Sequence, residues 1–107
     1  MGKSRTILIF AALLCATPAA AWAADNGAKV YQSRCAMCHG SDGKANTPAG
    51  KSFQTPGFDS AAVMKQSDAD LAEIIRKGKG KMPAYGSQLT ADQIQSLIAH
   101  IHALQGK

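Results

Sequence analysis

Cys35-Ala36-Met37-Cys38-His39 is the stretch on which the reading of this chain turns. A C-x-x-C-H run has the spacing of a covalent attachment site for c-type haem. Each thiol can form a thioether with one vinyl group of the ring, and the two-residue gap matches the separation of the two vinyls. The histidine follows at once, so its imidazole can reach the iron from one side. The rest of the chain is then expected to supply a second iron ligand, an apolar pocket and controlled access to the ring edge.

Upstream of the run, residues 1–23 read as a cleaved secretory signal. Lys3 and Arg5 form a short basic start, Ile7 to Ala16 (ILIFAALLCA) is apolar, and Ala21-Trp22-Ala23 is an A-x-A cleavage site, with the cut after Ala23 or Ala24. An apolar run of about ten residues is short for a bilayer span, so no stable membrane insertion is expected after cleavage; the alternative is an uncleaved anchor. Cys15 follows bulky Leu14, where a lipoprotein signal would want a small residue, so it is read as part of the discarded segment. The expected location is the periplasm.

Removing 23 of 107 residues leaves one domain of 84, residues 24–107, and its formal charge falls from +5 to +3 because Lys3 and Arg5 go and no acid does. Haem propionates would lower that charge further. So mild a positive balance, with no basic stretch interleaved with aromatics, gives no reason to infer nucleic-acid binding. A chain of this size buries a modest core, and Tyr31, Phe53, Phe58 and Tyr85 are all its aromatics after cleavage. A flat apolar macrocycle would add the missing contact area, and two thioethers would staple it in place. Cys35 and Cys38 admit another chemistry, since a lone cysteine pair in an oxidising compartment usually forms a disulfide, and a C-x-x-C disulfide belongs to thiol–disulfide oxidoreductases. His39 directly after the pair, and the lack of any βαβ pattern, argue against it.

Asp25 or Asn26 is expected to cap a first helix running to about Ala36. Gly27 and Tyr31 share a face of it. Gly27 is either a weak helix start or the site of a close helix crossing, and Tyr31 reads as a packing residue. Gly40 to Phe58 is dense in Gly, Pro, Asn and Ser and is expected to be mostly loop; wrapping a haem would account for its length. Pro48 lies in it, a candidate to accept a hydrogen bond from the second ring nitrogen of His39, or else a simple turn residue. Asp59 to Lys65 is expected to make one or two helical turns. Ser67 starts a helix with Leu71, Ile74 and Ile75 inward, Arg76 and Lys77 in its last turn and Gly78 as its stop. Thr90 and Gln93 form a capping box, followed by an apolar stripe of Ile94, Leu97, Ile98, Ile101 and Leu104. No strand and no repeat is expected.

Three methionines compete for the iron. Met37 lies on the attachment turn and cannot readily swing to the other side of the ring. Met64 falls in a helical stretch, where methionine usually packs in a core. Met82 stands in Gly78-Lys79-Gly80-Lys81-Met82-Pro83-Ala84-Tyr85-Gly86, an extended loop whose glycines let backbone pass close to something flat. It is the expected ligand, with His39. His100 and His102, two apart on a helix and so facing different ways, are the other competitors and read as surface or rim residues. A His/Met pair fills both axial positions, leaves none for a substrate, and favours the ferrous state. That combination suits an electron carrier and not an enzyme. Arg76, Lys77, Lys79 and Lys81 crowd before Met82; they read either as a ring of charge steering an acidic redox partner or as a solvated helix end.

With these residues in hand the chain resembles the small soluble class I c-type cytochromes. The resemblance rests on Cys35-Ala36-Met37-Cys38-His39-Gly40, on Gly78-Lys79-Gly80-Lys81-Met82-Pro83-Ala84-Tyr85 and on the closing helix, and it spans nearly all of residues 25–105. It implies an all-α cytochrome c fold, three to five helices around one covalently bound haem c, with the N- and C-terminal helices crossing at Gly27 and Tyr31. It implies Cys35 and Cys38 as thioether anchors, His39 and Met82 as iron ligands, and Pro48 as the carbonyl partner of His39. A monomeric one-electron carrier between redox proteins is the function implied; a haem subunit tethered to a larger dehydrogenase or oxidase is the alternative. One departure stands out: His100 occupies the stretch where the family often carries an aromatic against the first helix.

Overall fold

The computed structural model describes residues 2–3, 7–13 and 19–107. Arg5, Leu14 and Cys15, on which part of the export reading rests, lie outside the described residues. Ile7, Leu8, Ile9, Phe10 and Leu13 are all exposed and take no part in the core. No helix among the described residues is long and apolar enough to cross a membrane.

Among the described residues six helices follow in order: α1 (Ala19–Arg34), α2 (Ala36–His39), α3 (Pro48–Ser52), α4 (Ala61–Met64), α5 (Asp68–Lys77) and α6 (Ala91–Leu104). There is no strand among the described residues, only an isolated bridge between Lys79 and Met82. The count exceeds the expected three to five because two short turns, α2 and α3, are helical. α1 starts earlier than the expected cap at Asp25 or Asn26. The alanine-rich stretch before those residues has high helix propensity, so the helix runs through them from Ala19.

The C-terminal half follows its caps closely. Ser67 Oγ accepts from Asp70 N, while the Asp70 carboxylate accepts from Ser67 N. Thr90 and Gln93 make the same reciprocal pair at the start of α6. Each cap fills two of the amide donors that a helix start leaves free. Leu71 and Ile75 are buried on α5, and Ile94, Leu97, Ile98 and Ile101 on α6. Each of these apolar side chains contributes roughly 1.5–3 kcal/mol when fully taken out of water.

α1 and α6 cross at Gly27. A Cβ there would run into the carbonyl of Ser96 and the amide of Leu97, so only hydrogen lets the two backbones approach. One turn on, Tyr31 is fully buried. The His100 ring packs on it with centroids 4.8 Å apart, and Phe58 lies 6.2 Å away. His100, half-buried, packs inward here. It takes the aromatic place at the crossing, with its Nε2 buried and without a hydrogen-bond partner.

Candidate functional site

Cys35 breaks the path between α1 and α2 with φ −116° and ψ −34°. The motif then closes into a single turn, with His39 N donating to Cys35 O at 2.9 Å and Gly40 N to Ala36 O at 2.8 Å. Gly40 turns the chain away at φ 80°, ψ 155°, a conformation that side-chain-bearing residues rarely adopt. The Tyr31 hydroxyl donates to the Gly40 carbonyl at 2.6 Å. Tyr31 thus both fills the crossing and pins the exit of the motif.

The loop after Gly40 is tied back onto the same turn. Ala45 N donates to His39 O at 2.8 Å. Thr47 Oγ1 donates to the Cys38 carbonyl at 3.0 Å and accepts from Gly50 N at 2.9 Å, capping α3. Gly50 packs so closely under the motif that a Cβ would collide with the Cys38 carbonyl. Pro48 is the first residue of α3. The His39 Nδ1 is buried and has no hydrogen-bond partner among the described residues. What steadies the ring instead is Phe58, stacked on it at 4.7 Å and 18°. Burial lowers the pKa of His39, which keeps the imidazole neutral, the form that binds a metal.

On the Met82 side, Gly78 ends α5 at φ 74°, and a Cβ there would meet the Met82 carbonyl at 2.6 Å. Lys79 N donates to Met82 O and Met82 N to Lys79 O, at 3.1 and 2.9 Å. Gly80 supplies the φ of 57° that this two-residue reversal needs. Tyr85 N then donates to Ile75 O and Gly86 N to Arg76 O, so the loop returns along the end of α5.

These parts enclose a cavity of about 350 Å³ lined by Cys35, Cys38, His39 and Met82 together with Phe53, Phe58, Leu71 and Ile75. Its volume lies in the range of cofactor pockets. Met37 is 80% exposed and Met64 37%, and neither lines the cavity. His100 and His102 are also absent from its lining, and His102 Nε2 is paired with Asp68 at 2.8 Å. Of the expected basic residues, Lys79 and Lys81 reach the cavity while Arg76 and Lys77 do not; Lys77 is held by Glu73 at 2.7 Å. Two contributors went unread in the sequence. Phe58 was visible as one of few aromatics, yet nothing in its loop setting told that it would stack on His39. Arg34, at the end of α1, also lines the cavity.

Two thiols, an imidazole and a thioether facing one largely apolar cavity form a donor set that fits a covalently held haem. Cys35 and Cys38 are unpaired, and burial pushes the Cys35 thiol up to about 11, whereas reactive thiols are held below their ordinary value.

Comparison with known proteins agrees with this geometry. The family described as cytochrome C oxidase, cbb3-type, subunit III matches residues 23–101. Cytochrome c6 of Thermosynechococcus vestitus is 36% identical over 104 residues, which cover 92% of this chain and 90% of that protein. Cytochrome c6 of Gloeothece citriformis is 35% identical over 88 residues, 79% of this chain and 74% of that one. The cbb3-type cytochrome c oxidase subunit FixP of Azorhizobium caulinodans is 34% identical over 92 residues, 85% of this chain, but the match spans only 30% of FixP. Among solved structures, the KustC0563 c-type cytochrome superposes with a TM-score of 0.64 at 29% identity, covering 75% of this chain and 94% of that one. Fold, cavity and kinship converge: the chain belongs to the small class I c-type cytochromes, proteins that carry electrons on covalently bound haem c.

Proposed function

We propose that Cys35 and Cys38 form the two thioether links of one haem c, that His39 and Met82 are its axial iron ligands, and that the protein shuttles single electrons between redox proteins in the periplasm. The observation that carries the ligand assignment is the company Met82 keeps. It is the one methionine after the export segment that shares the cavity with Cys35, Cys38 and His39. When bound, the haem supplies a one-electron iron couple. The protein's part is to hold a neutral imidazole and a thioether in place and to exclude water with Phe53, Phe58, Leu71 and Ile75. With His39 and Met82 both committed to iron, no coordination position is left for a substrate, so the reading is a carrier and not an enzyme.

Residues 1–23 serve as the signal and residues 24–107 as the working domain, cut after Ala23 or Ala24. A cut there shortens α1 but leaves its crossing residues Gly27 and Tyr31 in place. The protein works as a monomer. Partners of acidic character dock where the basic residues Arg76, Lys77, Lys79 and Lys81 gather. In support, Lys79, Lys81 and also Arg34 line the cavity, and no carboxylate does.

The test is spectroscopic. The purified holoprotein should stay red through denaturation and acid–acetone extraction, and its intact mass should report one haem and the cleaved start. Met82→Ala should abolish the weak near-red charge-transfer band of the oxidised protein and lower its potential. A band that survives in Met82→Ala would remove Met82 as the ligand.

A second reading has its own support in the cbb3-type subunit family match and in the FixP relatives, of which this chain spans less than a third. In that reading the domain serves as a haem subunit of a larger complex. Sedimentation of the red species in a native extract separates the two, as a free carrier sediments at its own mass.

A further inference from the structure

Arg34 is the last residue of α1 and directly precedes Cys35. Its guanidinium Nη1 donates to Gln88 Oε1 at 2.6 Å, across 54 positions of chain. Its carbonyl accepts from the Tyr85 hydroxyl at 3.2 Å, across 51 positions. Both partners belong to the segment that carries Met82. Tyr85 N is in turn fixed to Ile75 O at 2.9 Å, and Leu89, buried, receives the segment at its far end through a bond to Tyr85 O. One residue therefore bridges the attachment turn and the Met82 segment through two different atoms. None of the helix caps needs this bridge, and Arg34 itself is exposed, so core packing does not explain it.

We propose that Arg34, with Gln88 and Tyr85, is a clasp that positions Met82 against the haem by locking its loop to the residue next to the first thioether anchor. The inference rests on the assignment of Met82 as iron ligand. Arg34 touches no reacting atom in this scheme; it acts through the loop. With the clasp intact the segment from Gly78 to Leu89 is held at both ends and at its middle. With the clasp opened it stays held by α5 and by Leu89, but the stretch facing the attachment turn is free to lift, and a competing ligand can reach iron.

Imidazole titration of the oxidised holoprotein reads this directly, because imidazole must displace the native sixth ligand. Arg34→Ala and Gln88→Leu should each raise the apparent imidazole affinity roughly three- to tenfold, the range set by the net worth of one ordinary hydrogen bond at an exposed site. The double variant should be no more than slightly worse than either single one, since both remove the same bond. Arg34→Lys, which can still donate to Gln88, should recover most of the native value. Glu73→Gln, which breaks a surface pair elsewhere on α5, should leave it unchanged. Urea midpoints measured alongside tell loop release from general loosening, which would shift the midpoint of every variant in step with its affinity.

An unchanged imidazole affinity in Arg34→Ala, with the near-red band present in the parent protein and lost in Met82→Ala, overturns the clasp and leaves the ligand assignment standing. A parent protein without that band, or a Met82→Ala protein that keeps it, overturns the ligand assignment and the clasp with it.

Discussion

The hydroxyl of Tyr31 is a single atom with two neighbourhoods. Its ring is sealed in the helix crossing, and its oxygen closes on the carbonyl of Gly40 at the exit of the haem motif. Tyr31→Phe would keep the ring and leave the Gly40 carbonyl with the Gly43 amide as its donor, at a cost of about 0.5–1.5 kcal/mol. Chemical denaturation of the holoprotein should show that loss with an unchanged m-value. Position 31 could be read from the sequence as a packing residue on the face of Gly27. Its hydrogen bond could not, because the acceptor is a backbone carbonyl whose direction depends on the positive φ of Gly40. Pro48 is similar: capping by Thr47 makes it the first residue of a helix, a placement that a proline in a Gly- and Ser-rich loop does not announce.

At the scale of elements, what could be read from the sequence was what short-range chemistry decides. The Ser67 and Thr90 caps, the Gly78 stop and the stripe from Ile94 to Ile101 all stand where residue spacing puts them. The beginning of α1 was misjudged because capping residues inside an alanine-rich run do not have to act as caps. Gly27 left two meanings open, and the packing of α1 on α6 selects the crossing. Gly27→Ala would force a methyl group into the Ser96 carbonyl and should cost ~3 kcal/mol or more, seen as a large drop in Tm or as failure to accumulate holoprotein.

His100 is the complementary case on the facing helix. Its Nε2 is buried without a partner, and burial lowers its pKa from the ordinary 6.5. The unfolded chain therefore takes up the proton first, and stability is lost as pH falls below about 6.5. His100→Phe would keep a ring against Tyr31 and remove both liabilities. It should raise Tm at neutral pH by about 5 °C, the equivalent of roughly 1 kcal/mol in a domain this small. The gap between the two proteins should widen as pH falls from 7 to 5, which thermal melts at matched ionic strength would measure.

The molecule as a whole places its cations unevenly about the cavity. Arg34, Lys79 and Lys81 border it, while no Asp or Glu does. Reduction by an anionic partner should therefore slow by roughly tenfold between low salt and physiological ionic strength, and Lys79→Ala with Lys81→Ala should flatten that dependence in stopped-flow measurements. This patch was legible as a run of charge before Met82. Its third member was not, since Arg34 joins it only once the first helix and the methionine loop are brought side by side. Of the cavity lining, Cys35, Cys38, His39 and Met82 were legible as residues that would face one space, and the apolar wall was not, since Phe53, Phe58 and Val63 come from a stretch with no periodicity to read.

The crossing of α1 with α6 also orders events in time. Gly27 and Tyr31 find their partners only on the last helix of the fold, so a chain emerging from its N-terminus has nothing to close upon until α6 has followed. Such a chain becomes a compact body only once its last helix is free to fold.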